Sequence, residues 1–287
     1  MTPTLLRQHP SRTGPAPRAD RDARARDWSE IQERMLVPLH ESVYERLEVG
    51  PATRLLGLRC GSGLALLTAA SRGAAVTGVD FARPELLALA RQRLLPDAWS
   101  TRTRARARAR IVDGSPGDAA DAETPPFTLV TAFEPIGCAT GDAERLGALL
   151  SAATPLAAHG AAVVLTGWGP PERCATSSVL RVAAKPADPL RGAGSRRPDR
   201  RDDLAEVARR AGLRPAGSGR VACPFGYADL GSAVRGLLST GLFDAAIAAT
   251  DQAQVDKELR EALHPYRRQD GTVWMPNVFR YLIARVP

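Results

Sequence analysis

At 287 residues the chain is long enough for one large α/β domain with a proper core, and its 44% hydrophobic content is ordinary for a globular protein. The net charge of +8 sits in two segments, +3 in residues 1–27 and +5 in residues 101–110, so the remainder is balanced and argues against a nucleic-acid-binding core. Cys60, Cys138, Cys174 and Cys223 lie far apart without a CxxC pair, which excludes a zinc-ribbon spacing and a small disulfide scaffold.

Reduced thiols, the lack of an ~18-residue apolar run and the lack of a signal-peptide-like N-terminus together predict a cytoplasmic chain with no membrane contact. Residues 1–27 mix Pro, Arg, Asp and Ala without periodicity and are expected to form a disordered basic tail. A single domain is expected over 28–287. It opens on a helix marked by Ile31, Met35, Leu36, Leu39, Val43, Tyr44 and Leu47 at helical spacing. Arg54–Leu58 reads as the first strand, running into Gly61-Ser62-Gly63 and a helix through Leu64, Leu66, Leu67 and Ala70. Ala75–Asp80 is the second strand and Pro84–Leu95 the next helix. Ala109–Val112 is a short third strand, Phe127–Phe133 a buried fourth and Ala161–Trp168 a fifth, with a helix around Ala143–Ala152 between the last two. Strands separated by helices predict a parallel sheet with right-handed crossovers.

Beyond Trp168 the pattern loosens. Residues 184–201 form a Pro/Gly/Arg-rich loop, and a helix over Asp202–Ala211 precedes a strand at Arg220–Pro224. Helical segments near 229–239 and 253–263 fall in an insertion, 222–275, before a last strand at Val278–Val286. The run TRTRARARAR at 101–110 reads as a solvated loop, because no aromatic residue interleaves with its arginines for base stacking.

The chemistry concentrates between Leu55 and Phe81. A strand entering Cys60-Gly61-Ser62-Gly63 and then a helix makes a turn whose glycines let a ligand approach the backbone. Asp80, ending the next strand, reaches the switch point of a doubly wound sheet, where a carboxylate can accept from both ribose hydroxyls. A dinucleotide fingerprint would need glycine at position 66, which is Leu66. No metal-ligand spacing, P-loop or paired carboxylates can be argued. His40, Trp168 and Trp274 read first as packing residues.

LLGLRCGSG, then VTGVD, then FTLVTAF resembles the motifs of class I S-adenosylmethionine-dependent methyltransferases. The nearest branch in pattern is the small-molecule one that includes ubiquinone/menaquinone C-methyltransferases. The resemblance implies an α/β fold, a Rossmann-like doubly wound, mostly parallel seven-stranded sheet with helices on both faces and a small helical cap. It implies S-adenosylmethionine as cofactor, with Cys60, Gly61 and Gly63 shaping the turn beneath the methionine and ribose. It also implies Asp80 on the ribose, Phe81 against the adenine, Asp113 (Asp118 as runner-up) facing the adenine amino group, and Phe133 beside the sulfonium. Phe225, Tyr227 and Tyr266 are expected to wall a small natural-product-like or quinone-like acceptor, with Glu134 or His264 as base. A homodimer through the cap or the N-terminal helix is compatible with the pattern.

Two positions depart from the family. Gly57 stands where an acid is usual, and Arg59 where glycine is usual. The Arg59 side chain can crowd the pocket or repel the sulfonium, pair with the methionine carboxylate, or point to solvent. The departures keep a rival expectation open: a catalytically impaired descendant that senses a ligand, regulates, or associates with nucleic acid. The lack of an NPPY-like tetrad argues against a nucleic-acid methyltransferase.

Overall fold

A computed structural model describes residues 18–95, 109–120, 125–138, 141–184 and 203–287. Helix α1 (Arg18–Asp27) comes first, then a π-helical turn at Trp28–Gln32, a 3-10 turn at Glu33–Leu36 and helix α2 (Val37–Arg46). The sheet begins with β1 (Arg54–Leu58), α3 (Leu64–Ser71), β2 (Ala75–Asp80), α4 (Pro84–Leu94) and β3 (Ala109–Asp113). It continues through β4 (Phe127–Ile136), α5 (Asp142–Ala153), β5 (Ala157–Trp168), α6 (Thr176–Val179), α7 (Arg181–Ala184) and α8 (Asp203–Arg210). β6 (Arg214–Ala222) and β7 (Phe225–Tyr227) lead into α9 (Leu230–Ser239), α10 (Asp244–Ala249) and α11 (Gln252–Leu263), and the chain closes with β8 (Val273–Met275) and β9 (Val278–Arg285).

Seven strands form one sheet in the order β3-β2-β1-β4-β5-β9-β6. All neighbours from β3 to β5 are parallel, while β9 runs antiparallel to both β5 and β6. The architecture is therefore the doubly wound, mostly parallel α/β sheet expected, with its switch point between β1 and β4. Alternating side chains feed two cores. Leu55, Leu129 and Val164 face the side of α2, α3 and the cap, whereas Leu56, Val130 and Leu165 face α5 and α8. A separate two-stranded ribbon, β7 with β8, pairs Phe225 with Met275 and Tyr227 with Val273, joining the two ends of the 222–275 insertion. Its helices start on side-chain caps: Asp229 accepts from the Ser232 amide and Asp251 from the Gln254 amide, each at 2.7 Å.

Three sequence expectations change. Arg18–Asp27, placed in the disordered tail, is helical, because Ala25 is buried and Arg24 and Asp27 pair with Asp244 and Arg235 of the cap helices at 2.9 and 3.4 Å. Residues 1–17 lie outside the described residues. The helix expected from Trp28 onward is broken into three windings, with α2 starting at Val37 because Pro38 tolerates only a first turn. β6 starts six residues earlier than its apolar signal. It is an edge strand carrying Pro215 and an irregularity at Gly217, so no apolar alternation marks it. Most of the arginine run, residues 101–108, lies outside the described residues, and Ala109 and Arg110 open β3. The loop expected at 184–201 lies outside them from residue 185.

Candidate functional site

The carboxyl end of β1 enters a turn in which Arg59, Gly61 and Gly63 all take left-handed conformations, with φ of 49°, 57° and 80°. Glycine adopts this region freely, but Arg59 pays roughly 1–2 kcal/mol for it. That is the physical reason a glycine suits position 59. A Cβ at Gly61 would stand 3.4 Å from Glu33 Oε1 and 3.7 Å from Trp28 Nε1, so the segment after α1 closes directly over the turn. At Gly63 a Cβ would meet Ala90 Cβ at 3.0 Å and Leu94 Cδ1 at 3.1 Å. Gly63 thus lets α4 pack against the turn, and its left-handed conformation shapes the entry to α3. The Cys60 amide donates to Val79 O at 3.1 Å, and burial pushes its thiol up to about 12, so it is a packed thiol without nucleophilic character.

Four charges span the switch point. The Asp80 side chain is wholly buried, with Oδ1 accepting from the Ala82 amide at 3.0 Å and Oδ2 from Arg83 at 3.2 Å. Arg83 also lies 3.5 Å from Glu134 Oε2, and Arg59 Nε lies 2.7 Å from that same oxygen. The Arg59 N–H is not aimed along this line, so the contact is an ion pair and not a hydrogen bond. Burial works against the Arg83 charge, but Glu134 and Asp80 outweigh it and hold the guanidinium above its ordinary range. Two cations and two anions leave the cluster neutral.

The cluster divides a cleft in two. An inner chamber of about 540 Å³, open mouth included, is lined by the glycine turn, His40, Thr131 and Phe133. An outer chamber of about 1000 Å³, open mouth included, is walled by Trp168, Phe225 and Phe279. The Trp168 ring lies 4.6 Å from Phe279 and 6.0 Å from Phe225. Arg59, Arg83, Glu134 and Pro135 line both chambers, and Trp28 and Leu36 roof both. The roof is bolted down from beneath. Arg93 of α4 reaches the buried Glu33 at 2.7 Å and the Ser29 carbonyl at 3.1 Å, and Ser62 of the turn donates to Glu33.

Of the residues singled out in the sequence, Cys60, Gly61, Phe133 and Glu134 line the inner chamber, while Glu134 and Phe225 line the outer one. Asp80 sits behind Arg83 at their junction. Phe81 is 61% exposed and lines neither chamber. Asp113 is exposed at the end of β3, paired in register with Asp80, and Asp118 is consumed in capping its own turn through Ser115. His264 must be withdrawn as a base: it lies exposed on a short turn after α11 and lines neither chamber. Tyr266 is withdrawn as an acceptor contact, since its hydroxyl meets Ser178 at 2.8 Å and packs that turn on α6. Tyr227 is 3% exposed and hydrogen-bonds Gln32 at 2.9 Å, so it supports the roof from behind. The sequence missed Trp168 and His40 as lining residues, and Arg83 and Arg93 as the cations that order the site. Helical and strand periodicity explained the first two as packing, and a lone arginine in a helix carries no signal of its partner.

No family model and no curated protein matches the chain. Solved structures do. A candidate methyltransferase from Bacillus halodurans C-125 aligns with a TM-score of 0.51 at 14% identity, over 86% of this chain and 98% of its own. YjhP from Escherichia coli aligns with a TM-score of 0.51 at 17% identity, over 91% and 98%. A more distant likeness, TM-score 0.46 at 14% identity over 87% and 75%, is to geranyl diphosphate C-methyltransferase from Streptomyces coelicolor A3(2), solved with S-adenosyl-L-homocysteine. With the first two the chain shares its Rossmann-like α/β fold. Among the described residues no cluster of three His, Cys, Asp or Glu could hold a metal, and no helix is long and apolar enough to cross a membrane.

Proposed function

We propose that this chain transfers a methyl group from S-adenosylmethionine to a small organic acceptor, natural-product-like or quinone-like. The observation that carries the reading is the meeting of three features at the carboxyl ends of β1, β2 and β4: a left-handed glycine turn, a buried carboxylate and a two-chamber cleft. The residues fit the cofactor. Gly61 leaves the turn's backbone bare, Asp80 is a ribose acceptor at the switch point, and Trp28 Nε1 and His40 Nδ1 are buried polar atoms without partners among the described residues. Ribose binding requires Arg83 to leave Asp80, and Glu134 is the carboxylate already positioned to receive it.

Bound there, the cofactor supplies a methyl group made electrophilic by its sulfonium. The chain supplies placement and dryness. The Trp28–Leu36 roof, clamped by Arg93, excludes water from above the turn. The Trp168, Phe225 and Phe279 wall holds a flat apolar acceptor in the outer chamber. Glu134, at the junction of the chambers, is the group placed to take a proton from an oxygen acceptor. A carbon acceptor activated by its own oxyanion needs placement alone.

A second reading, a ligand-binding protein without turnover, is favoured by one observation: Arg59 and Arg83 put two guanidiniums in the cleft where a sulfonium would lie. Calorimetric titration with S-adenosylmethionine and S-adenosylhomocysteine separates the two. The transferase reading expects micromolar binding by the native chain and tighter binding by Arg59→Gly, which also removes the left-handed strain. Silence from the native chain with binding restored by Arg59→Gly would mean that the fold is kept and the transferase function lost.

A further inference from the structure

The place of the missing acid is filled. Gly57 of β1 and Gly78 of β2 are neighbours across the parallel pair. A Cβ on Gly57 would meet Leu66 Cδ2 at 2.8 Å, and one on Gly78 would meet Leu66 Cδ1 at 2.5 Å. Leu66 of α3, itself buried, is wedged over both glycines, so a carboxylate at position 57 would have to expel it. Position 57 therefore offers a bound ligand no charged group.

Outside the charge cluster, the lining carries two polar atoms that nothing among the described residues satisfies. His40, on α2, is 2% exposed, lines the inner chamber beside Thr131 and Phe133, and leaves Nδ1 without a partner. Its ring is braced 4.6 Å from Phe133, which in turn meets Tyr44 edge-on at 5.5 Å, so the imidazole is held in place. Trp28, on the roof, leaves its indole Nε1–H unpaired within reach of the Gly61 turn. Burying such atoms unpaired costs about 1–3 kcal/mol each, a cost that a ligand carrying matching groups would remove.

We infer, resting on the proposed cofactor, that His40 and Trp28 bind its amino-acid end, His40 Nδ1 accepting from the ammonium and Trp28 Nε1 donating to the carboxylate. Burial pushes the His40 imidazole down to about 3, so at neutral pH it is uncharged and does not repel an ammonium. With the proton on Nε2, Nδ1 is an acceptor. Arg59, which could also meet the carboxylate, is ion-paired with Glu134.

The test is calorimetric titration of the full chain with two probes, S-adenosylhomocysteine and 5′-methylthioadenosine, which lacks the amino-acid end. His40→Leu and Trp28→Phe are expected to weaken S-adenosylhomocysteine about 10-fold each, the worth of one lost hydrogen bond, and to leave 5′-methylthioadenosine within about 2-fold. His40→Asn, whose amide oxygen takes the place of Nδ1, is expected to restore most of the loss and guards against a variant that merely misfolds. Equal weakening of both probes, or undiminished S-adenosylhomocysteine binding in the two variants, would overturn the assignment while leaving the cofactor reading intact. Failure of the native chain to bind either probe would overturn the cofactor reading first, and this assignment with it.

Discussion

The two chambers of the cleft are built in different ways. The inner one is assembled chiefly from a contiguous stretch, β1 through the glycine turn into α3, closed by the segment just before it. The outer one is assembled from segments more than fifty residues apart: Trp168 at the end of β5, Phe225 on β7 and Phe279 on β9. The ion-paired Arg59, Arg83 and Glu134 line both, while the aromatic wall of Trp168, Phe225 and Phe279 belongs to the outer one alone. A parallel sheet dictates the first, because successive β-to-α turns all open at the carboxyl edge of the strands. The second depends on the cap, which reaches the sheet only because the β7–β8 ribbon ties its two ends together.

If the aromatic wall is held by packing and the roof by charge, single substitutions should fail differently. The largest effect is expected from Phe225→Ala, which empties a fully buried ring beside Trp168 and Phe279 and should cost about 4 kcal/mol in denaturant unfolding. A loss below about 1 kcal/mol would mean that the wall is not packed as a unit. Next comes Arg93→Met, which strands the Glu33 carboxylate under the roof and should cost about 3 kcal/mol. Because the roof would loosen as well, Trp28 fluorescence should shift to the red. An unshifted spectrum would show that the roof is held by its apolar contacts alone.

The smallest effect is a pH slope. The His40 pKa is about 3 when folded, below the 6.5 of the unfolded chain, so the unfolded state takes up the proton first as pH falls. Stability from this group is fully present above pH 6.5 and falls by about 1.4 kcal/mol per unit below it, roughly 2 kcal/mol by pH 5. His40→Leu should flatten the slope between pH 6.5 and 5. An unchanged slope in that variant would assign it to other groups and place His40 in a wetter setting than its burial implies.

The inner chamber was largely legible before the fold was known. Leu55–Leu58 running into two glycines, and Asp80 ending the next strand, name a strand–turn–helix and a switch-point carboxylate through local rules of backbone freedom and strand period. Those rules failed where a residue's partner is remote. Arg83, just before α4, and Arg93 within it look like surface arginines, yet one covers Asp80 and the other clamps the roof. His264 and Tyr266 looked like cap contacts because they follow a helix of the insertion, but the turn they occupy packs outward on α6.

Length, alternation of strand and helix, and the glycine turn were enough to settle the fold class and the edge of the sheet where a ligand would sit, since each depends on contacts within about 30 residues. Tertiary structure decided the rest. It put Leu66 over Gly57 and Gly78, turned His40 from a packing residue into a chamber wall, and brought Trp168, Phe225 and Phe279 together from three strands. The reason is the same in each case. A side chain's partner across a sheet or under a roof is chosen by register and packing, and no spacing along the chain records that choice.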